Sequence, residues 1–154
     1  MTNKKINILY VDDEVNNLIS FKATFRIKYN VFTAEGGEEA IKLLKENTIN
    51  VIITDQRMPN MTGVEFLESI LQDYPDPMRI LLTGYADMNA VIDAVNKGKI
   101  FHYLTKPWNE DELDITINRA FEIYQKRIEE KELNDKLTIS NEQLEFLLRQ
   151  KLLS

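Results

Sequence analysis

Short runs of consecutive apolar residues alternate along this chain with longer stretches in which apolar residues recur every three or four positions. The short runs predict strands that are buried on both faces, and the three-to-four spacing predicts amphipathic helices. The predicted strands cover residues 6–11, 31–34, 51–55, 79–83 and 100–105. Because a helical stretch follows each strand, the pattern predicts an α/β fold, a doubly wound five-stranded parallel sheet with helices on both faces.

Predicted helices fill the segments between these strands, and Gly or Pro marks several of their ends. The first runs to about residue 27, the second starts after Gly36–Gly37, the third ends before Pro75, and the fourth covers residues 87–96. Pro cannot continue a helix, and a Gly such as Gly98 commonly closes one. We expect Val91, Ile92 and Val95 to form the buried face of the fourth helix.

The fifth predicted helix differs from the others in its length. It begins after Asn109, a favourable N-cap residue, and Glu112 occupies the position that completes a capping box. No Gly or Pro follows Pro107, so one helix can continue from residue 110 to near residue 152. Such a helix is about 65 Å long at ~1.5 Å per residue, roughly twice the width of the domain that carries it. Much of the helix is therefore expected to project.

The apolar pattern changes within this last helix, beyond Lys126. From Leu137 onward, the apolar positions are compatible with a heptad repeat. The sequence therefore divides into a domain over residues 1–126 and a projecting amphipathic helix over residues 127–154. A lone helix of this length is marginal in water, which favours a coiled coil between two copies or a linker to an effector over a fraying tail.

Composition limits what the chain can do. With 154 residues, of which 44% are hydrophobic, it can form one core plus an appendage. A net charge of −6 opposes binding to nucleic acid or to an anionic membrane. The absence of Cys excludes disulfides and thiolate metal ligands. The first residues lack the apolar region of a signal peptide, and no run reaches membrane-spanning length, so we expect a cytoplasmic protein.

Polar side chains stand where four of the predicted strands end. These residues are Asp12, Asp13, Asp55, Thr83 and Lys106. In a doubly wound sheet these strand ends converge at one edge, so three carboxylates, a hydroxyl and an ammonium would share a site. Clustered carboxylates repel one another unless a cation compensates, and oxygen ligands suit Mg²⁺, which also binds phosphate. Taken singly, the Asp pair could be a helix N-cap, Lys106 a solvated side chain and Thr83 a residue bonding its own backbone.

Four motifs in order resemble the receiver domain of two-component response regulators. They are Val-Asp-Asp-Glu at 11–14, Thr-Asp-Gln-Arg-Met-Pro at 54–59 with Gly63 downstream, Leu-Thr-Gly at 82–84, and Tyr-Leu-Thr-Lys-Pro at 103–107. The resemblance covers the chain from Ile6 to about Lys126 and implies the strand order 2-1-3-4-5 of flavodoxin-like and CheY-like sheets. The run from 82 to 108 is similar to receivers that are joined to HD-GYP or kinase modules.

The resemblance also implies a role for each site residue. Asp55 would accept a phosphoryl group from a histidine, and Asp12 and Asp13 would hold Mg²⁺ with Asp55 and the backbone carbonyl of Arg57. Thr83 would donate a hydrogen bond to the attached phosphoryl group, and Lys106 would neutralise its charge. The remaining implications concern Tyr103, which would rotate inward as part of a switch, and the Lys106–Pro107 peptide bond, which would be cis.

Signalling partners follow from the same resemblance. A sensor histidine kinase or a histidine phosphotransfer protein would supply the phosphoryl group, and the protein would catalyse only its own phosphorylation and dephosphorylation. The signal would change the surface formed by the fourth helix, fifth strand and fifth helix, for an effector that the sequence does not identify.

Two other functions remain open. A haloacid-dehalogenase-like phosphatase also uses an Asp nucleophile and Mg²⁺, but it has a second Asp two residues later, where this chain has Arg57. A coiled-coil adaptor independent of phosphate would not need all five site residues.

Overall fold

The computed structural model describes residues 5–84, 86 and 88–153, and these contain one parallel sheet of five strands. The strands are β1 (Asn7–Val11), β2 (Asn30–Ala34), β3 (Val51–Asp55), β4 (Met78–Thr83) and β5 (His102–Thr105). The helices are α1 (Val15–Phe25), α2 (Gly37–Glu46), α3 (Gly63–Ile70), α4 (Met88–Asn96) and α5 (Glu110–Leu153). The strand order β2-β1-β3-β4-β5 confirms the predicted doubly wound sheet and its order.

The two faces of the sheet carry separate hydrophobic cores. Side chains of α1 and α5 cover one face, and those of α2, α3 and α4 cover the other. In the central strand β3, Ile53 packs into the first core and Ile52 into the second, as the alternation of side chains along a strand requires. Every residue of β3 is buried. The uninterrupted apolar run that predicted this strand is thus explained by helices on both sides.

One prediction about α4 is wrong. Val91 is fully buried, but the Ile92 side chain is 43% exposed, and Ala94 is buried instead. Successive helical residues are about 100° apart, so a stripe at spacings of three and four that includes Val91, Ala94 and Val95 turns Ile92 outward. The predicted first residue of this helix, Asp87, lies outside the described residues, as do Met1–Lys4 and Ser154 at the ends of the predicted domains.

Helix α5 forms as the sequence predicts, with 44 residues in one piece. The Asn109 side chain caps it, because its Oδ1 accepts a hydrogen bond from the Glu112 backbone N–H at 3.0 Å. Contacts with the domain continue to Lys131, whose Nζ lies 3.7 Å from Asp76 Oδ2. From residue 129 to residue 153, every side chain is exposed. None of the helices in the described part of the chain combines the length and apolar character needed to cross a membrane.

Candidate functional site

Three carboxylates meet at the carboxyl edge of the sheet. Asp12 and Asp13 follow β1 directly, and Asp55 is the last residue of β3. These two strands are parallel neighbours, with Val11 opposite Thr54, so they end side by side. One oxygen atom from each carboxylate lies within 4.8 Å of the other two. Asp12 is fully buried and Asp55 nearly so, whereas Asp13 is exposed, so Asp13 forms the solvent side of this acidic cluster.

Lys106 follows the edge strand β5 and places a positive charge beside the acidic cluster. Its Nζ lies 2.7 Å from Asp55 Oδ1 and 3.9 Å from Asp12 Oδ2. Its backbone N–H donates to the Thr83 carbonyl at 2.9 Å, so the ladder between β4 and β5 continues to this residue. The Lys106–Pro107 peptide bond is cis, as the resemblance implied. The convergence of strand ends predicted from the sequence is therefore correct for Asp12, Asp13, Asp55 and Lys106.

The electrostatic balance of the site is unfavourable for a charged Asp55. Burial raises the pKa of Asp55, and the hydrogen bond and charge of Lys106 only partly oppose this. The neighbouring Asp12 charge raises the pKa of Asp55 further. One lysine beside three carboxylates leaves an excess of negative charge, which a bound cation would offset.

Asp12 is held by donors that the sequence analysis did not identify. The Tyr10 hydroxyl donates to Asp12 Oδ2 at 2.9 Å, and the Asn17 side-chain amide donates to the same atom at 3.1 Å. Asp12 Oδ1 accepts the Glu14 backbone N–H at 3.0 Å. A signal for Tyr10 was present, because residues two apart near the end of a strand lie on the same face. The contact of Asn17 with Asp12 depends on how α1 begins, so no such signal for Asn17 was present in the sequence.

The turn after Asp55 is tightly built around Gln56, another residue that the sequence analysis missed. The Gln56 side chain is buried, and its Oε1 accepts the Val64 backbone N–H at 2.9 Å. Its own backbone carbonyl accepts the Gly63 N–H at 2.9 Å. A Cβ atom on Gly63 would lie 2.4 Å from the Asp55 carbonyl oxygen. Gly63 is therefore needed for the close approach of α3 to the backbone of Asp55.

Three further residues have roles implied by the resemblance: Thr83 at the end of β4, Tyr103 in β5, and Arg57 in the turn after β3. Thr83 is fully buried, and its hydroxyl donates to the Gly84 carbonyl at 3.0 Å, which matches the local bond considered from the sequence. Tyr103 is half-buried and packs against the core that contains side chains of α2, α3 and α4. Arg57 is exposed in the turn that follows Asp55. The roles assigned to these three residues from the sequence remain predictions.

Comparison with known proteins agrees with this geometry. The family model described as the response regulator receiver domain matches residues 8–118. The hydrogenase transcriptional regulatory protein HoxA of Cupriavidus necator is 38% identical over 122 residues, which are 79% of this chain and 25% of that relative. This chain thus spans about a quarter of the length of the curated relatives it matches.

Solved structures show the same similarity. A chain described as adenylate cyclase from Rhodopirellula baltica matches with a TM-score of 0.83 and 32% identity, over 86% of this chain and 98% of that one. The response regulator protein TrrA from Thermotoga maritima, in complex with Mg²⁺ and BeF, matches with a TM-score of 0.66 and 31% identity. That match covers 75% of this chain and 98% of the other. Since the family model covers well over half of the chain, this protein belongs to the response regulator receiver domain family of two-component signalling.

Proposed function

We propose that Asp55 accepts a phosphoryl group from a phosphorylated histidine and that the chain acts as a phosphorylation-dependent signalling switch. The observation that carries this proposal is the 2.7 Å contact of Lys106 Nζ with Asp55 Oδ1, beside two further carboxylates. Receiver domains interact with histidine kinases or phosphotransfer proteins, so one of these would be the donor. They are generally non-enzymatic signalling domains, and Asp55 would support only its own phosphorylation and dephosphorylation.

The donor set of the acidic cluster fits Mg²⁺. Asp12, Asp13 and Asp55 offer only oxygen ligands, and the backbone carbonyl of Arg57 would add another, which is the donor chemistry that Mg²⁺ prefers. The excess negative charge around Asp55 would also favour the binding of a cation. When bound, the ion would neutralise charge on the transferred phosphoryl group. The Mg²⁺–BeF complex of the similar Thermotoga TrrA supports this choice of metal.

The chemistry of the protein side chains follows from their charges. An ionised oxygen of Asp55 would attack phosphorus, forming an O–P bond while the P–N bond to histidine breaks and its electron pair returns to the imidazole nitrogen. The Lys106 ammonium would hold the negative oxygens of the phosphoryl group. The Thr83 hydroxyl, which now donates to Gly84, would turn to donate to that group. Tyr103 would then move inward and change the surface formed by α4, β5 and α5.

The distal part of α5 would transmit the response. The apolar residues from Leu137 onward that are compatible with the heptad repeat are more than half exposed: Leu137, Leu144, and Leu147 or Leu148. We therefore keep the division into a receiver domain over residues 1–126 and an association helix over residues 127–154. The helix would pair with a second copy or connect the domain to an effector.

Phosphorylation can be tested directly with a small phosphodonor. The wild-type chain, incubated with acetyl phosphate and Mg²⁺, should gain the mass of one phosphoryl group, and Asp55→Asn should gain none. Asp73→Asn is a matched control, because it removes an exposed carboxylate that is not in the acidic cluster. A wild-type chain that stays unmodified, or an Asp55→Asn chain that is modified equally, would contradict the proposal. Hydrolysis of a generic phosphoester by the wild type would favour the phosphatase function instead.

A further inference from the structure

We propose that Tyr10 and Asn17 are positioning residues that orient the Asp12 carboxylate for Mg²⁺. This inference rests on the proposed function, in which Asp12 is a metal ligand. Both residues donate to the same atom, Asp12 Oδ2, at 2.9 Å and 3.1 Å. A carboxylate oxygen has about two lone-pair sites, so these bonds fill Oδ2. Asp12 Oδ1 accepts only the Glu14 N–H among the contacts of the described residues, which leaves it capacity for a cation.

Tyr10 is a rigid donor. Its side chain is 1% exposed, and its ring stacks on that of Phe21 with the centroids 4.2 Å apart and the planes 2° from parallel. A phenol holds its proton at neutral pH, so the hydroxyl is available as the donor to Asp12. A side chain fixed in this way holds the carboxylate in one orientation, whereas water at the same place would not.

The two donors also separate Asp12 from Lys106. Lys106 Nζ lies 3.9 Å from Asp12 Oδ2 but 2.7 Å from Asp55 Oδ1. Because Asp12 Oδ2 already accepts two hydrogen bonds, a closer contact with the Lys106 ammonium would add little stabilisation. Loss of the Tyr10 or Asn17 donor would allow a closer ion pair between Asp12 and Lys106. That pair would compete with metal binding and would weaken the contact of Lys106 with Asp55.

Equilibrium binding of Mg²⁺ tests this inference without any phosphoryl transfer. The chain has a single tryptophan, Trp108, which lines one cavity of about 450 Å³ together with Tyr10, Asn17 and Lys106. Its fluorescence should therefore report the midpoint of an Mg²⁺ titration. Removal of a residue that orients a metal ligand typically weakens metal binding about 10- to 100-fold, so Tyr10→Phe should raise the Mg²⁺ dissociation constant about tenfold.

Tyr29→Phe is a matched control for Tyr10→Phe. The Tyr29 hydroxyl also donates to a carboxylate, that of Asp114, and it lies outside the acidic cluster. Each substitution removes one phenolic hydroxyl bonded to a carboxylate, so both should lower the free energy of unfolding. Only Tyr10→Phe should shift the Mg²⁺ midpoint. A role in stability alone would leave the midpoints of both variants at the wild-type value.

Asn17→Ala provides a second variant at a half-buried position if Tyr10→Phe does not fold. It should also raise the Mg²⁺ dissociation constant, since it removes the other donor to Asp12 Oδ2. Midpoints within a factor of about two of wild type for both variants would overturn the inference while the proposed function stands, because effects expected from such residues are larger. A wild-type titration that is flat at millimolar Mg²⁺ would overturn both.

Discussion

Replacing Gly63 by alanine tests how tightly the start of α3 is packed on the residue proposed to accept the phosphoryl group. The added Cβ would lie 2.4 Å from the Asp55 carbonyl oxygen and 2.8 Å from Leu81 Cδ1. The Leu81 methyl group can turn aside, but the Asp55 oxygen belongs to the backbone of a central strand. The helix must therefore move away, which strains the 2.9 Å bonds from the Gly63 and Val64 N–H groups to Gln56.

The size of the effect can be worked out from these contacts. Two weakened hydrogen bonds cost about 1 kcal/mol each. Overpacking adds about 1–3 kcal/mol, and the better helix propensity of alanine returns up to ~1 kcal/mol. We expect Gly63→Ala to lower the free energy of unfolding by about 2–4 kcal/mol, which for a domain of this size lowers the Tm by roughly 5–10 °C.

Urea and thermal unfolding of Gly63→Ala should be compared with those of Gly37→Ala. Gly37 is the first residue of α2, as Gly63 is of α3, but a Cβ at Gly37 would meet nothing closer than Phe66 Cδ1 at 3.4 Å. The Gly37 variant should match the wild type within about 0.5 kcal/mol or be slightly more stable. If both variants unfold at the wild-type urea concentration, the proposed close packing of α3 on Asp55 is refuted.

Three further predictions concern charge, loops and association. The raised pKa of Asp55 means that the folded state binds a proton there more tightly than the unfolded chain. Asp55→Asn should therefore raise the Tm above wild type at neutral pH without Mg²⁺, and this gain should disappear as the pH falls through the pKa of Asp55. A gain in Tm that does not change with pH would show that the raised pKa of Asp55 is not its cause. Arg79 is buried and donates to the carbonyls of Lys99 at 2.8 Å and Pro77 at 3.0 Å, so Arg79→Met should cost about 2–3 kcal/mol in urea unfolding. Truncation after Glu132 should weaken self-association in sedimentation without changing phosphorylation, whereas equal association would exclude pairing through α5.

Much of the fold could be predicted because it depends on the periodicity of apolar residues and on the Gly and Pro residues that end helices. The uninterrupted apolar run of β3 and the absence of Gly and Pro after Pro107 indicated a buried strand and a long helix, and both are present. The burial of Ile92 was predicted wrongly, because apolar character alone does not fix how a short helix is rotated on the sheet. The contact of Lys131 with Asp76 was not predicted, because it depends on where α5 leaves the domain.

The acidic cluster was predictable for a related reason, while its supporting residues were not. Asp55 ends a strand and Asp12 and Lys106 each follow one, and parallel strands bring such residues together whatever their side-chain conformations. The roles of Tyr10 and Gln56 depend on individual side-chain directions, which decide that Tyr10 bonds to Asp12 and Gln56 to Val64. The position of Tyr10 on the same strand face as Asp12 was a signal for its role, whereas Gln56 gave none, because residues of its type are common in turns.

The central claim is that Asp55 itself receives the phosphoryl group, and mapping the modified residue tests it most directly. The wild-type chain would be treated with acetyl phosphate and Mg²⁺, reduced with borohydride, which converts an acyl phosphate of aspartate to homoserine, and digested for peptide mass analysis. The account predicts homoserine at Asp55 and at no other aspartate. Homoserine at Asp12 or Asp13, or none in a chain that has gained phosphate, would contradict it.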